Sequence, residues 1–252
     1  MPALPLADLY RRALALGARL PGPDALGVNA ALVGLQLEQA EAERSGAARA
    51  VWTSPLVPAE IATALGLVCV TPETVAAVLA SVGRGGALLD RAAGELPAAD
   101  CCSFQRIAAA ALGAGAVPLP AAFASCSSIC DDNAQLAAWL ARRHDRPGFL
   151  IDVPAGDDAA AREHVARRLA AFVGFLEAIA GERLDPRRLA AAVETSNRAR
   201  RAWLEVNRIR REHPPAMPGA AALRLAGGLV LQKFGQPALA GALEGWAAEL
   251  RD

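Results

Sequence analysis

Four of the five cysteines in this chain lie close together, at Cys101, Cys102, Cys126 and Cys130. Glycine, serine and proline surround them, which is typical of loops that carry a functional site. Thiolates bind metal ions and iron–sulfur clusters, and a reducing compartment keeps such thiols free for that chemistry. The fifth, Cys69, stands alone in an apolar run and is predicted to be a small, buried hydrophobic residue.

The spacing of the four clustered thiols leaves three interpretations open. An alanine-rich core tolerates free cysteine as a small hydrophobic residue. Zinc would suit four thiolates, but structural zinc sites usually use Cys-x2-4-Cys knuckles, and the adjacent Cys101 and Cys102 cannot both easily bind one small ion. An iron–sulfur cluster accepts thiolates from separated loops. From spacing alone, zinc and a cluster are equally consistent with the sequence.

The composition narrows the class of protein. The 252 residues carry a formal net charge of zero, which gives no overall attraction to nucleic acid or acidic lipid. Hydrophobic residues make up 54% and aromatic residues 4%, so the apolar content lies mostly in small side chains that favour helices. No apolar stretch reaches the ~20 uninterrupted residues of a membrane span, and the N-terminus lacks the order of a secretory signal. We therefore expect a cytoplasmic protein with no membrane association.

Short apolar runs alternate with helical patterns in residues 49–155. Strands are predicted at 50–53, 67–70, 116–124 and 149–153, and helices at 58–64, 72–82 and 131–144. This alternation indicates an α/β fold with a Rossmann-like parallel sheet and right-handed crossovers. Ligands bind at the carboxyl edge of such a sheet, and both cysteine pairs fall in segments near that edge. The run at 149–153 is apolar apart from Asp152 and is stopped by a proline, a pattern that predicts a strand covered on both faces.

Helical patterns precede and follow this region. Residues 1–48 are predicted to form a leading helical segment, with helices at 5–20 and 29–45. Residues 156–252 are predicted to form an all-helical region, in which two long helices joined at Gly181 precede helices at 219–234 and 237–251. The sequence therefore predicts three units, the middle one carrying the cysteines.

Five segments resemble, in the same order, motifs of the 2-hydroxyacyl-CoA dehydratase and benzoyl-CoA reductase subunit family. VPAEIATALGLV at 57–68 is similar to a Pro-x-Glu stretch of that family, and DCCSFQR at 100–106 looks like its first cluster-cysteine segment. Cys130, followed by an aspartate at a helix start, looks like the second such segment. FLIDVP at 149–154 and the helical stretch at 181–219 also match.

The resemblance implies a heteromeric enzyme in which each subunit can carry a [4Fe–4S] cluster. In this family an ATP-dependent iron–sulfur activator protein delivers an electron of very low potential to a CoA thioester. The resulting ketyl radical anion lets a 2-hydroxy group leave, a lyase reaction of anaerobic metabolism, or lets an aromatic ring accept reduction. The implied partners are a second dehydratase or reductase subunit, the activator and an acyl-CoA substrate, with no role for nucleic acid.

By this resemblance, Cys102 and Cys130 are the expected cluster ligands, with Cys126 and Cys101 in reserve. Family members usually continue into a second α/β domain that supplies a third cysteine ligand, whereas this sequence has no cysteine after Cys130. The third ligand could come from Cys101 or Cys126, from a separate chain, or be absent. Four clustered thiols would also suit the larger double-cubane cluster of some relatives.

Other polar residues have two interpretations each. Glu60, in the Pro-x-Glu motif, could act as an acid or base near the thioester, but a first-turn glutamate that complements a helix dipole is the more ordinary interpretation. The arginines at 198–211 could bind CoA phosphates or the activator, but interleaved glutamates favour a solvated helix face. We assign no ligand role to His144, His164 or His213.

The sequence therefore predicts an iron–sulfur subunit of a radical 2-hydroxyacyl-CoA dehydratase or a related acyl-CoA reductase. The alternative is a non-catalytic or truncated partner subunit of such a complex, which keeps the fold without a complete cluster. The missing third cysteine favours the alternative, and the four clustered thiols favour the enzyme.

Overall fold

The computed structural model contains a parallel sheet with helices around it. The described residues are 6–17, 37–38, 40–42, 44–46, 49–94, 100–128, 130–212, 219 and 234–251. Of the predicted helix at 219–234, only the two end residues are described. His213 lies outside the described residues. The predicted helix at 29–45 is described only in part. The first helix, α1, is Leu6–Gly17.

Four short strands form the sheet. They are β1 (Ala50–Thr53), β2 (Val68–Val70), β3 (Ala122–Cys126) and β4 (Gly148–Ile151), in the order β2-β1-β3-β4. All neighbouring strands are parallel, so each must be connected to the next by a crossover. The first three strands are buried along their whole length, as expected of strands covered on both faces. The predicted α/β fold is confirmed.

Helices make the crossovers between the strands. They are α2 (Ala59–Ala64) after β1, then α3 (Pro72–Ser81), α4 (Gly85–Ala92) and α5 (Ser103–Gly113) after β2, and α6 (Asp131–Arg143) after β3. Proline in the first turn of α3 suits a helix start, where its missing N–H has no intrahelical partner. The chain leaves α2 through Gly66, whose φ of +68° is a conformation that glycine adopts at little cost.

Two helices and one strand boundary differ from the sequence prediction. Helix α5 is rich in alanine, the best helix former, yet the adjacent cysteines and glycines made the segment resemble a loop. Helix α4 begins with two glycines, which conceal its start. Strand β3 begins at Ala122 rather than at residue 116, because Pro118 and Pro120 lack the N–H that a sheet ladder requires.

The prediction that the strand at 149–153 is covered on both faces is wrong. Strand β4 ends the sheet and pairs only with β3. Its residues are mostly exposed or half-buried, and Leu150 is 39% exposed. An apolar run can therefore also form the last strand of a sheet. There, one long edge of the strand has no hydrogen-bonded neighbour, and one face is only partly covered.

Helices cover both faces of the sheet. On one face, Trp52 and Phe123 pack edge to face, with ring centroids 5.9 Å apart, in a core shared with α1, α3, α5 and α6. On the other face, Val51 lies in a core with Phe172 of helix α7 (Ala159–Ala180). The sheet is thus the central layer, and its strand ends are left to border the site.

Two further helices complete the described fold. They are α8 (Pro186–Glu212) and α9 (Pro237–Glu249), which pack against each other around Leu239, Leu243 and Trp246. Helix α8 also contacts α2, so the helical pair adjoins the sheet. Of the helices in the described ranges, none combines the length and the apolar character needed to cross a bilayer.

Replacing Leu243 tests this helix pair. Leu243 is fully buried, at 0% exposure, so Leu243→Ala should lower the free energy of unfolding by about 2–5 kcal/mol. The same substitution at Leu204, which is 66% exposed, should change it by less than about 0.5 kcal/mol. Chemical denaturation measures both values, and equal effects would contradict the packing of α9 on α8.

Candidate functional site

The strand order creates a crevice at the carboxyl edge of the sheet, between β1 and β3. The chain runs from β1 to β2 on one side of this point and from β3 to β4 on the other. Ligands of open α/β sheets bind outside the strand ends at such a switch point. Residues 54–58 follow β1 here, and residues 127–128 and Cys130 follow β3.

Cys102 and Cys130 occupy equivalent positions at this edge. Cys102 is the N-cap residue of α5 and is exposed, and Cys130 is the N-cap residue of α6 and is half-buried. The backbone N–H of Cys102 donates a hydrogen bond of 2.8 Å to Asp132 Oδ2, in the first turn of α6. Helix N-termini favour negative charge. The two thiols therefore lie at linked helix starts that suit anionic sulfur ligands.

Cys101 has a different environment. Burial raises the pKa of its thiol to about 11, with further contributions from Asp132 and from Cys102. The protonated thiol is therefore strongly favoured over the thiolate near neutral pH, and the thiolate is the form that binds metal. By this measure Cys101 is a poorer metal ligand than a thiol without such neighbours.

Cys126 is buried at the end of β3. Its Sγ lies 3.3 Å from Ser128 Oγ and donates to Pro55 O at 3.4 Å, and its N–H donates to Ser54 Oγ at 3.1 Å. These contacts occupy the thiol with neighbours from the β1 and β3 loops. Cys69 is also buried, within β2, as predicted.

The four clustered cysteines do not form a complete metal site by themselves. Within the part of the chain that the structure describes, no three side chains of His, Cys, Asp or Glu are grouped so that they could hold a metal ion. Two accessible thiols at linked helix starts have the right chemistry for two positions of a cluster, and the remaining ligands are not supplied there.

An open apolar cleft of about 680 Å³ adjoins the β1 loop. Its lining includes Leu56, Val57, Pro58, Leu169, Val173, Leu189, Val193 and Phe234. Leu56 is 54% exposed and has a φ of +67°, which is strained for a residue with a side chain. Such strain is found preferentially at functional sites. The cleft can accommodate an apolar ligand group.

Glu60 is the buried carboxylate of this cleft. It lies in the first turn of α2 at 8% exposure, and its Oε1 accepts a hydrogen bond of 3.0 Å from Arg200 Nη2. The Arg200 guanidinium also lies 5.2 Å from the centre of the Phe234 ring. The structure therefore brings Glu60 to a ligand-sized cleft and away from solvent.

The arginine-rich stretch of α8 is largely a solvated, ion-paired face. Arg198 pairs with Glu244 of α9 through two hydrogen bonds of 2.9 and 2.6 Å. Hydrogen bonds from Arg208 and Arg251 lower the pKa of Glu205 to about 2. Arg200 differs from these residues, because its partner is the buried Glu60.

The sequence prediction missed a buried polar group beside the cysteines. Gln105 Nε2 donates to Glu73 Oε1 at 2.8 Å and also donates to Asn133 Oδ1. Gln105 is three residues after Cys102, and Asn133 is three residues after Cys130. The third residue after an N-cap is where capping-box side chains occur. This spacing, repeated after both cysteines, is the sequence feature that could have revealed the polar group.

The protonation of Glu73 makes this group sensitive to pH. Burial raises the pKa of Glu73 above its usual range, although hydrogen bonds oppose the shift. A raised folded-state pKa contributes stability at low pH that is lost as the pH rises through that pKa. Glu73→Gln should therefore raise the melting temperature at neutral pH, and the gain should shrink as the pH falls toward 4.5.

Thermal unfolding at several pH values measures this effect. Glu163→Gln, at an exposed glutamate of α7 that pairs with Arg167, is the matched control and should change the melting temperature little. A gain for Glu73→Gln that grows as the pH falls would contradict the sign of the shift.

The chain matches a known protein family over most of its length. The model of the family described as 2-hydroxyglutaryl-CoA dehydratase, D-component, matches residues 56–252. The chain is similar to the (R)-phenyllactyl-CoA dehydratase alpha subunit of Clostridium sporogenes, with 26% identity over 177 residues, 67% of this chain and 44% of that protein. It is also similar to the lactoyl-CoA dehydratase subunit alpha of Anaerotignum propionicum, with 24% identity over 191 residues, 67% of this chain and 45% of that protein. The chain thus spans less than half the length of these curated relatives.

Proposed function

This chain belongs to the 2-hydroxyglutaryl-CoA dehydratase D-component family, and we propose that it acts as a subunit, or part of one, of a 2-hydroxyacyl-CoA dehydratase. The observation that carries the proposal is the pair of cysteines at linked helix starts on the carboxyl edge, Cys102 and Cys130. The names of the relatives, which are alpha subunits of acyl-CoA dehydratases, support the substrate class. A related acyl-CoA reductase would need the same pair of thiols and the same class of substrate.

We propose that Cys102 and Cys130 contribute two ligands to a [4Fe–4S] cluster, with the remaining ligands supplied by a separate chain or by Cys126 and Cys101. Thiolates from separated loops are the usual ligands of such clusters. When bound, a cluster of this kind would supply one electron at low potential. The chain's own part is to present the two thiols at helix N-termini and to bury the strand ends beneath them. Cys126 and Cys101 stay in reserve, because the first is enclosed and the second favours its protonated form. Four thiols at one edge also keep a double-cubane cluster as the weaker alternative.

We propose that the apolar cleft binds the acyl part of the thioester and that Glu60 holds or accepts a proton there. The cleft has the size and lining of small-molecule sites, which are mostly apolar with a few polar groups. The Arg200 guanidinium, 3.0 Å from Glu60 Oε1, orients the carboxylate. A carboxylate so placed is available as a general base when Arg200 moves toward an anionic group of the ligand.

The proposed partners follow from the family and from the exposed surface. A second dehydratase subunit and an ATP-dependent iron–sulfur activator are the partners that this chemistry needs, in the cytoplasm. Phe104, which is 45% exposed, lies in the first turn of α5 beside Cys102. An exposed aromatic side chain next to an exposed thiol suits a protein interface.

The second candidate is a partner subunit that binds no complete cluster. Its specific support is the lack of three grouped metal ligands in the described part of the chain. In that case the chain has the same fold and interface, and another chain carries out the reaction.

Anaerobic purification separates the two candidates. The chain is purified alone and with the product of a neighbouring, co-expressed gene, and iron, sulfide and zinc are measured. The dehydratase proposal expects about four irons and four sulfides per chain in the complex, and near eight would indicate the double-cubane cluster. Zinc, or no metal even in the complex, would favour the partner without a cluster.

A further inference from the structure

Two buried amide side chains and a half-buried carboxylate meet where three helices begin. Glu73, Gln105 and Asn133 lie in the first turns of α3, α5 and α6, respectively. Gln105 is 2% exposed and Asn133 is 7% exposed. Burying an amide costs free energy unless the amide is hydrogen-bonded. The presence of two buried amides at one place therefore suggests that they hold neighbouring parts of the chain in position.

Their hydrogen bonds connect the two helices that carry the accessible thiols. The Gln105 side-chain amide of α5 donates both to Glu73 Oε1, at 2.8 Å, and to Asn133 Oδ1 of α6. A second connection joins the same two helix starts, from the Cys102 N–H to Asp132 Oδ2 at 2.8 Å. The starts of α5 and α6 are therefore joined twice, once in the core and once at the surface.

We propose that Gln105 is a positioning residue that holds the thiols of Cys102 and Cys130 in a fixed relation, so that both bind one ligand together. The inference rests on the proposed function, because it assumes that these two thiols act as a pair. Gln105 is one helical turn from Cys102, and its partner Asn133 is one turn from Cys130. A shift of either helix start would break directional bonds in a region of low dielectric constant, where they are strong.

The unsatisfied atoms of the network support a specific arrangement. Glu73 Oε2 and Gln105 Oε1 are buried and have no hydrogen-bond partner in the described part of the chain. A protonated Glu73 would carry a hydrogen that can be donated to Gln105 Oε1, which would close an acid–amide pair. Apolar residues of the same volume would stabilise a core as well as this group does, whereas a satisfied polar network favours one relative placement of the helices.

The test measures how readily one reagent bridges the two thiols. Dibromobimane forms a bridge when each of two thiolates displaces one bromide. The chain with Cys101→Ser is reduced anaerobically and treated with the reagent, so that Cys102 cannot be bridged to its neighbour. Peptide mass spectrometry identifies the bridge, and removal of Cys102 or Cys130 from this parent should abolish it.

Variants of the network then test the role of Gln105. Gln105→Leu should slow formation of the Cys102 to Cys130 bridge by at least about tenfold, because it removes both hydrogen bonds that the Gln105 amide donates. The matched control is Gln135→Leu, at an exposed position of α6, which should retain the parental rate. Gln105→Glu should also slow the reaction, because a carboxylate cannot donate to Glu73 or Asn133.

The exchange variant Glu73→Gln/Gln105→Glu provides the rescue. The amide at residue 73 can donate to the carboxylate at residue 105, and Asn133 can turn its amide toward the same carboxylate. We expect this double variant to recover most of the parental rate. Melting temperatures are measured for every variant, and bridging is compared well below the lowest of them.

The outcomes decide the proposal without reference to iron. A parental rate in folded Gln105→Leu, or a parent that forms no Cys102 to Cys130 bridge, would overturn it. If Gln105→Leu does not fold, Gln105→Glu and the exchange variant decide, and a folded exchange variant without recovery would contradict the hydrogen-bond basis. The proposed function fails on a different measurement, the iron content of the complex.

Discussion

Replacing Cys102 or Cys130 with alanine should remove nearly all iron and sulfide from the anaerobically purified complex. Each thiol lies at a helix N-terminus on the carboxyl edge of the sheet, and the two helix starts are joined through Asp132. A cluster has only a few protein ligands. Removing one thiolate therefore removes a large part of the charge and of the geometry that hold the cluster in the protein. Iron and acid-labile sulfide per chain are the quantities to measure.

Cys69→Ala is the matched control for this substitution. Cys69 is buried within β2, between Val68 and Val70, and does not lie in a loop, so the variant should retain the parental iron content. Cys126→Ala and Cys101→Ala rank the two reserve thiols by the iron each variant loses. Retention of iron in both Cys102→Ala and Cys130→Ala would contradict the ligand assignment.

Replacing Glu60 with glutamine should reduce turnover by about 10²–10⁴-fold while sparing the iron content. Glutamine keeps the shape of the side chain and an oxygen that can accept from Arg200, but it cannot take up a proton. Glu60 is buried at the wall of the cleft, and the described lining of that cleft includes neither Cys102 nor Cys130. Steady-state kinetics and metal analysis of the same preparation measure the two quantities.

The control for Glu60→Gln is Glu163→Gln, at an exposed residue of α7, which should leave turnover unchanged. Full activity of Glu60→Gln would assign the residue to its ordinary role, a first-turn glutamate paired with Arg200. Loss of iron together with turnover would indicate a structural role.

Much of the fold follows from local patterns. Strand β1 is indicated by a short apolar run. The helices that begin at Pro72 and Asp131 are indicated by apolar periodicity and by start signals that depend on only a few neighbouring residues. The exposed edge of β4 could not be predicted in this way, because it depends on which strands lie beside it in space. Helix α4 was missed because its two leading glycines oppose helix propensity.

The same distinction applies to the site. Cys102, Cys130 and Glu60 could be named as candidates because residue type and motif position point to them. The Gln105, Glu73 and Asn133 contacts join three separate helix starts, so no single segment of sequence reveals them. The ion pair of Arg200 with Glu60 spans 140 positions and is likewise a product of the packing of α8 on α2.

The most direct test of the account is dehydration of a 2-hydroxyacyl-CoA by the assembled complex. The chain, its co-purified partner and an ATP-dependent activator are mixed anaerobically with a reductant, and the thioesters are separated by chromatography. If the proposed function is right, the complex forms the 2-enoyl-CoA in an ATP-dependent reaction, with loss of one water per substrate. No enoyl-CoA from any of a series of 2-hydroxyacyl-CoA substrates, with an activator that supports a known dehydratase, would contradict it.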